Sequence, residues 1–171
     1  MEILEAIKKR RSIRQFQGKA VPPEALDTLI EAIRWAPSAG NLQSRRFYFV
    51  FNKGLKAMLA RAALDQLFIA QAPLAVVACA DHRIARHYGE RGMGLYCLMD
   101  VAASLQNLLL VAQAQGLGSC WVGAFDEDEV KTLLQLPPHL RPVAIVPIGY
   151  PAEHPQPPAR MPNAEAVVVL R

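Results

Sequence analysis

Leu74-Ala75-Val76-Val77-Ala78-Cys79-Ala80 carries no polar side chain on either of its alternating faces. A strand of that composition has to be covered on both sides, as a central strand of a layered domain is. The run Gly94–Gln115 adds a second constraint, because it is apolar almost all round and reads as a core helix, with Gly116 as a left-handed stop. Asp100, Ser104, Gln106 and Asn107 interrupt that run, and such groups are costly in hydrocarbon. We therefore read a fully buried helix of a soluble protein and no membrane contact. With 52% hydrophobic and 20% charged residues, the 171 residues suffice for one sizeable core.

The remaining elements follow from periodicity and breakers. Residues 2–10 read as a short amphipathic helix through Ile3, Leu4 and Ile7. Pro22-Pro23 opens a second helix carrying Leu26, Leu29, Ile30 and Ile33, and Pro37 closes it. Phe47–Phe51 reads as a strand, Leu55–Leu64 as a helix and Ser119–Val122 as a strand. A helix capped by Asp126 or Asp128 should reach about Leu136. Val143–Ile148 is a further strand, which Pro147 assigns to an edge or a bulge. Residues 151–162 hold further prolines and little that is hydrophobic, an extended arm delivering the strand-like Ala166–Leu170. That strand either rejoins its own sheet or pairs with another subunit. The expected class is α+β: about five mostly antiparallel strands between helices, one domain over residues 1–150 and an arm and strand over residues 151–171.

Net charge is +4, and only Lys8, Lys9, Arg10, Arg11 and Arg14 concentrate it. Cations without interleaved aromatics do not describe a nucleic-acid surface. Cys79, Cys97 and Cys120 are odd in number, lie in apolar runs and form no CxxC pair, which fits a reduced, cytoplasmic protein without disulfides or zinc. His82 and His87 lack a metal-ligand spacing and read as surface histidines. The glycines of Gly116-Leu117-Gly118 follow a helix instead of opening one, so no dinucleotide fingerprint is present.

Three segments have the chemistry for a ligand. Arg10-Arg11-Ser12-Ile13-Arg14 sets three guanidiniums around a hydroxyl, which suits a phosphate monoester, or equally a solvated basic helix end. Ser38–Gln43 offers Ser, Asn and Gln side chains around Gly40, fit for the edge of a flat heterocycle or for an ordinary polar turn. Gly116–Phe125 is rich in small residues, which admit a ligand to the backbone or simply make a tight turn.

Taken in order, Arg10–Phe16, Ala36–Gln43, Gly116–Phe125 and Pro158–Pro162 resemble the nitroreductase family of FMN-dependent oxidoreductases, with Tyr88–Gly92 and Asp100–Asn107 similar to its compact branch. The resemblance implies that Arg10, Arg11, Ser12 and Arg160 hold the FMN phosphate and ribityl region. Arg14 would lie at the pyrimidine edge, where a cation stabilises the charge the flavin takes up on reduction. Pro37, Ser38, Ala39, Gly40, Asn41 and Gln43 would line the flavin from the other subunit of an intertwined homodimer, and Gln66 would present an amide. Cys120, Trp121, Val122, Gly123 and Ala124 would run along the flavin, with backbone amides near Val122–Ala124 facing its hydride-accepting nitrogen. The implied reaction passes hydride from NADH or NADPH through FMN to a nitroaromatic, quinone or similar small acceptor by a ping-pong mechanism; no catalytic side chain is assigned. Dehalogenating or flavin-fragmenting enzymes of the same fold are the alternatives, ahead of a flavin- or polyanion-binding module without turnover.

Several positions depart from the family pattern. Gly123-Ala124 stands where many relatives carry a carboxylate, Pro158 where a basic residue is usual, and Ser44-Arg45-Arg46 follows Gln43 in place of a proline and an aromatic. No residue is assigned to the 2′-phosphate or ribose hydroxyl that distinguishes NADPH from NADH. The chain is also short for a lid-bearing member, which predicts an open or partner-lined substrate pocket.

Overall fold

The structure is a computed structural model that describes residues 2–171. Its helices are α1 (Ile3–Lys9), α2 (Pro23–Arg34), α3 (Lys53–Ala62), α4 (Phe68–Gln71), α5 (Ala85–Arg91), α6 (Cys97–Ala114), α7 (Glu127–Leu133) and the single turn α8 (Asn163–Ala166). Four strands, β1 (Arg45–Val50), β2 (Leu74–Asp81), β3 (Gly118–Ser119) and β4 (Leu140–Gly149), form one antiparallel sheet in the order β1-β2-β4-β3.

β2 is buried along its whole length, and its alternation divides the core in two. Leu74, Val76 and Ala78 meet Leu29 and Ile33 of α2 and Leu105 and Leu108 of α6. Ala75, Val77 and Cys79 meet Leu59 of α3, Ile69 of α4 and Val130 of α7. The helix starts and stops have local causes: Pro23 occupies the first turn of α2, the Asp126 carboxylate accepts two amides at the start of α7, and Gly116 has φ +73° just past α6.

Four expectations are corrected. Pro147 lies in an interior strand, not at an edge. Its carbonyl accepts the Cys120 amide, so its ring nitrogen faces β3, whose pairing has just ended there and which asks for no further donor. The bulge falls instead at Val143 of β4, the extra residue between Pro142 and Ala144, opposite the Ala78–Cys79 step of β2. The strand expected at Ser119–Val122 shortens to Gly118–Ser119, with Val122 rejoining β4 through an isolated bridge to Ile145. In this chain α6 is buried on one face only: Leu105 and Leu108 are fully enclosed, whereas Met99 is 58% exposed. His82, expected at the surface, is half-buried.

The fifth strand does not enter this chain's sheet. Val167–Leu170 is extended and exposed, with Leu170 at 91%. Ile3, Leu4, Ile7 and Trp35 (81%) are further large apolar side chains left exposed. The helical run from His82 to Ala114 has the length and composition of a membrane span. Three of its polar side chains are nonetheless bonded inside the protein: Asp100 accepts the Ser44 hydroxyl, Ser104 donates to the Ile33 carbonyl and Asn107 to that of Ala32.

Candidate functional site

The segment after α1 is held from both sides. The Ile13 amide donates to the Ser119 carbonyl at 2.9 Å, and Ser12 bridges Ser119 in parallel. On the other side Phe16 pairs with Pro151, the Ala152 amide donates to the Gln15 carbonyl, and the Glu153 carboxylate accepts the amides of Arg14 and Gln15. Gly118 permits the first contact, because a Cβ there would lie 2.7 Å from Ile13. The second contact launches the proline-rich arm back across the basic segment.

The result is a cavity of about 320 Å³ lined by Arg10, Arg11, Ser12, Arg14, Pro155, Gln156, Pro158 and Arg160. None of its four arginines has a carboxylate partner among the described residues. Arg11 is divided in its duties: one terminal nitrogen closes α1 by donating to the carbonyls of Lys8 and Arg10, while its Nε is buried without an acceptor. A buried donor of this kind calls for a partner. Guanidinium forks around a hydroxyl fit a phosphate monoester, so the residues present suit the phosphate of FMN.

The Cys120 thiol lies under this cradle. Burial pushes it up, against the lowering pull of Arg14, the bonded Ser12 hydroxyl and Arg10, so it stays a neutral packing group. Cys79 is pushed up to about 12 by burial, and all three cysteines are unpaired. Arg14 stands with its guanidinium 5.9 Å from the centre of the Phe68 ring. Gln66 donates to the carbonyls of Ala63 (2.9 Å) and Ala124 (3.1 Å), which ties it to the glycine-rich segment. Trp121, Gly123 and Ala124 are exposed. Val122 corrects an expectation: it is buried and exchanges both backbone bonds with Ile145, so its amide faces the sheet. The amides of Gly123 and Ala124 have no acceptor among the described residues and are the ones available to a ligand.

The Pro37–Gln43 loop lies elsewhere. Asp100, buried in α6, accepts the Ala39 amide at 2.9 Å and the Ser44 hydroxyl at 2.6 Å. Arg45 donates to the carbonyls of Pro37 (2.9 Å) and Ala36 (2.7 Å), holding the chain where it leaves α2. Gly40, Asn41 and Gln43 have positive φ near 50°, and the Gln43 amide bonds the Ser38 hydroxyl. The loop lines a cavity of about 300 Å³ with Tyr96, Met99, Asp100 and Ala103. Asp100 and Gln113 are thirteen residues apart on α6, about 20 Å along the axis, and Gln113 adjoins Arg11 in the pocket behind the cradle. One chain therefore keeps the loop and the arginines at opposite ends of α6. Sequence reasoning missed Asp100 and Arg45 as the residues that fix the loop; the signal was a lone carboxylate in an apolar helix.

The sequence pattern of the Nitroreductase family matches residues 7–81 and 59–150. The chain belongs to the nitroreductase family. Among family relatives, an NADH dehydrogenase of Thermus thermophilus is 35% identical over 191 residues, covering 95% of this chain and 93% of the relative. The NAD(P)H FMN reductase of Bacillus subtilis is 31% identical, covering 97% of this chain and 72% of the relative. The solved NADPH:FMN oxidoreductase of Vibrio harveyi, complexed with NAD+, superposes with a TM-score of 0.91 at 26% identity, covering 99% of this chain and 77% of that one. The nitroreductase fold expected from the sequence is thus the fold observed, with four strands in one sheet among the described residues.

Proposed function

We propose that this nitroreductase-family protein is a homodimeric, cytoplasmic FMN-dependent oxidoreductase that passes hydride from NADH or NADPH through FMN to a nitroaromatic, quinone or similar acceptor by a ping-pong mechanism. The observation that carries the reading is the convergence of Arg10, Arg11, Ser12, Arg14 and Arg160 on one cavity without a counter-charge. Its support in the comparisons is the FMN reductase of Bacillus subtilis and the NAD+ complex of the Vibrio harveyi enzyme.

FMN supplies the redox chemistry when bound, and the chain's residues bind, orient and tune it. Arg10, Arg11, Ser12 and Arg160 hold the phosphate. Arg14 adds a fixed cation at the pyrimidine edge. The free amides of Gly123 and Ala124 present donors along the ring, with Gln66 bracing the Ala124 carbonyl from behind. Cys120 and Trp121 back this stretch. Pro37, Ser38, Ala39, Gly40, Asn41 and Gln43 complete the site from the second subunit, because their own chain holds them at the opposite end of α6 from its arginines. The second subunit also explains the exposed Trp35, Met99 and Leu170, since obligate interfaces are large and apolar.

The test is anaerobic. Protein incubated with FMN and desalted should keep stoichiometric flavin, lose its oxidised-flavin absorbance with NADH or NADPH, and regain it with a quinone. Initial rates over both substrates should give parallel double-reciprocal lines. Protein that releases all FMN on desalting, or keeps it without reduction, overturns the reading.

A further inference from the structure

A second cationic pocket lies beside the Pro37–Gln43 loop, lined by Leu42, Ser44, Asp81, Arg83, Arg86 and His87, with a volume of about 220 Å³. We propose that it binds a phosphate of the reduced nicotinamide dinucleotide, with Arg86 as the contacting cation. This inference rests on the function proposed above.

The charges in the pocket are unequally committed. Asp81 ends β2, and its carboxylate accepts the Arg83 amide at 3.0 Å, the Arg83 Nε at 3.0 Å and a terminal Arg83 nitrogen at 2.5 Å. That closed pair neutralises itself and holds Asp81 well engaged; burial alone would raise its pKa, yet the Arg83 bonds and charge bring it below the usual carboxylate range. The Ser44 hydroxyl is likewise committed, donating to Asp100. Arg86 and His87, on the first turn of α5, have no acceptor among the described residues. The pocket thus presents one unneutralised guanidinium and an imidazole against walls that supply no further negative charge. An anion with several oxygens matches a guanidinium fork, and a phosphate is the best such match.

Position selects the source of that phosphate. Leu42 and Ser44 flank Gln43, which belongs to the loop assigned to the flavin of the other subunit. A nicotinamide lying against that flavin carries its bridging and 2′-phosphates outward along the dinucleotide. The pocket is next to the loop and opens on the same chain segment. The turn His82–Ile84 and the start of α5 bring Arg83, Arg86 and His87 to one wall.

The experiment uses the flavin-loaded protein and two variants, Arg86→Gln and Arg86→Lys. Calorimetry with adenosine 2′,5′-bisphosphate reads the pocket without catalysis, and steady-state kinetics with NADPH and NADH read it during turnover. Arg86→Gln should weaken the bisphosphate about tenfold, the scale of one lost charge-assisted bond, and raise KM with a smaller change in kcat. Arg86→Lys should recover part of that loss. A KM increase confined to NADPH assigns the contact to the 2′-phosphate; equal increases for both donors assign it to the bridging phosphates. Unchanged bisphosphate affinity together with both KM values within about twofold of the parent overturns the inference. Bisphosphate binding is also measurable on flavin-free protein, so a failure of FMN retention would be seen separately.

Discussion

The Asp100 carboxylate accepts the Ser44 hydroxyl at 2.6 Å, and through that contact helix α6 fixes the loop that precedes β1. The same carboxylate holds the Ala39 amide, so three donors converge on one buried group. Asp100→Asn leaves one oxygen for those donors and faces an NH2 toward them. We expect a loss of about 2–3 kcal/mol, read by urea unfolding. Affinity for FMN should fall as well, because the loop loses its fixed shape.

Arg160 is exposed, and its guanidinium makes only a 3.4 Å bond to the neighbouring Ala159 carbonyl. Arg160→Ala should therefore leave thermal stability unchanged while weakening FMN about tenfold. Riboflavin, which lacks the phosphate, should bind parent and variant equally. The difference should shrink at high salt, as screening of an exposed contact requires. Equal losses for FMN and riboflavin would place Arg160 away from the phosphate.

Gly118 lets the basic segment approach β3. A Cβ there would meet the Ile13 Cγ1 at 2.7 Å and its Cβ at 2.9 Å, neither a freely moving chain end. Gly118→Ala should cost about 1–3 kcal/mol through overpacking. It should also displace Ser12 relative to Ser119, so flavin retention should drop more than for a core variant of equal stability.

Residues Val167–Leu170 contribute nothing to their own subunit's core, with Val168 81% and Leu170 91% exposed. Burying such side chains on a partner is worth roughly 1.5–3 kcal/mol each. Deleting residues 167–171 should thus leave the circular dichroism of the folded chain intact and shift sedimentation toward monomer. FMN should be lost along with the dimer. A truncated chain that sediments as a dimer of unchanged affinity argues against the swapped strand.

Stability should fall in two steps on acidification. Burial, aided by the Arg141 cation, holds His82 below its ordinary value of 6.5, and its Nε2 is buried without a partner. The unfolded chain then takes up the proton first, so this contribution is present above about pH 6.5 and is lost as pH falls below it. Glu127 is lowered by its bonds from Arg141, at 2.7 and 2.9 Å, against the opposing effect of burial. Its contribution is present above the usual glutamate value and is lost as pH falls through the depressed folded value. Urea midpoints measured from pH 8 to 3 should show both steps. His82→Gln should abolish the first, and Arg141→Gln should diminish the second.

Much of the local structure was legible because its causes are local. Leu74–Ala80 is a covered strand because no position offers a polar face, and α2 starts at Pro23 because proline fits a first turn. Gly116 stops α6 in the left-handed region as its residue type predicts. Pro147 sits in an interior strand because proline's cost in a sheet is a missing donor, and here the neighbouring strand ends where that donor would point. The all-round apolar character of α6 was visible, but composition does not say which chain covers each face.

The residue types of the candidate site were also visible, whereas their grouping was not. Arg10–Arg14 is a cluster by covalent adjacency. Arg160 joins it only because Phe16 pairs with Pro151 and turns the arm back, a contact between residues 135 positions apart. Val122 loses its amide to Ile145, and Gly123 and Ala124 keep theirs, by the register of an isolated bridge. In the sequence Asp100 is a lone carboxylate in an apolar helix, and only the fold makes it the anchor of the Pro37–Gln43 loop.

The amino-acid order by itself determined where chain segments become helix, strand or turn, and which of them carry cations, amides or small residues. Those properties depend on side-chain pattern over a few residues. The tertiary structure alone decided that the arginines meet in one cavity, that the loop sits at the far end of α6, and that Arg86 faces a pocket whose only carboxylate is already held by Arg83. Such meetings depend on strand register and on the path of the connections, quantities set by the packing of the whole core and written in no single segment.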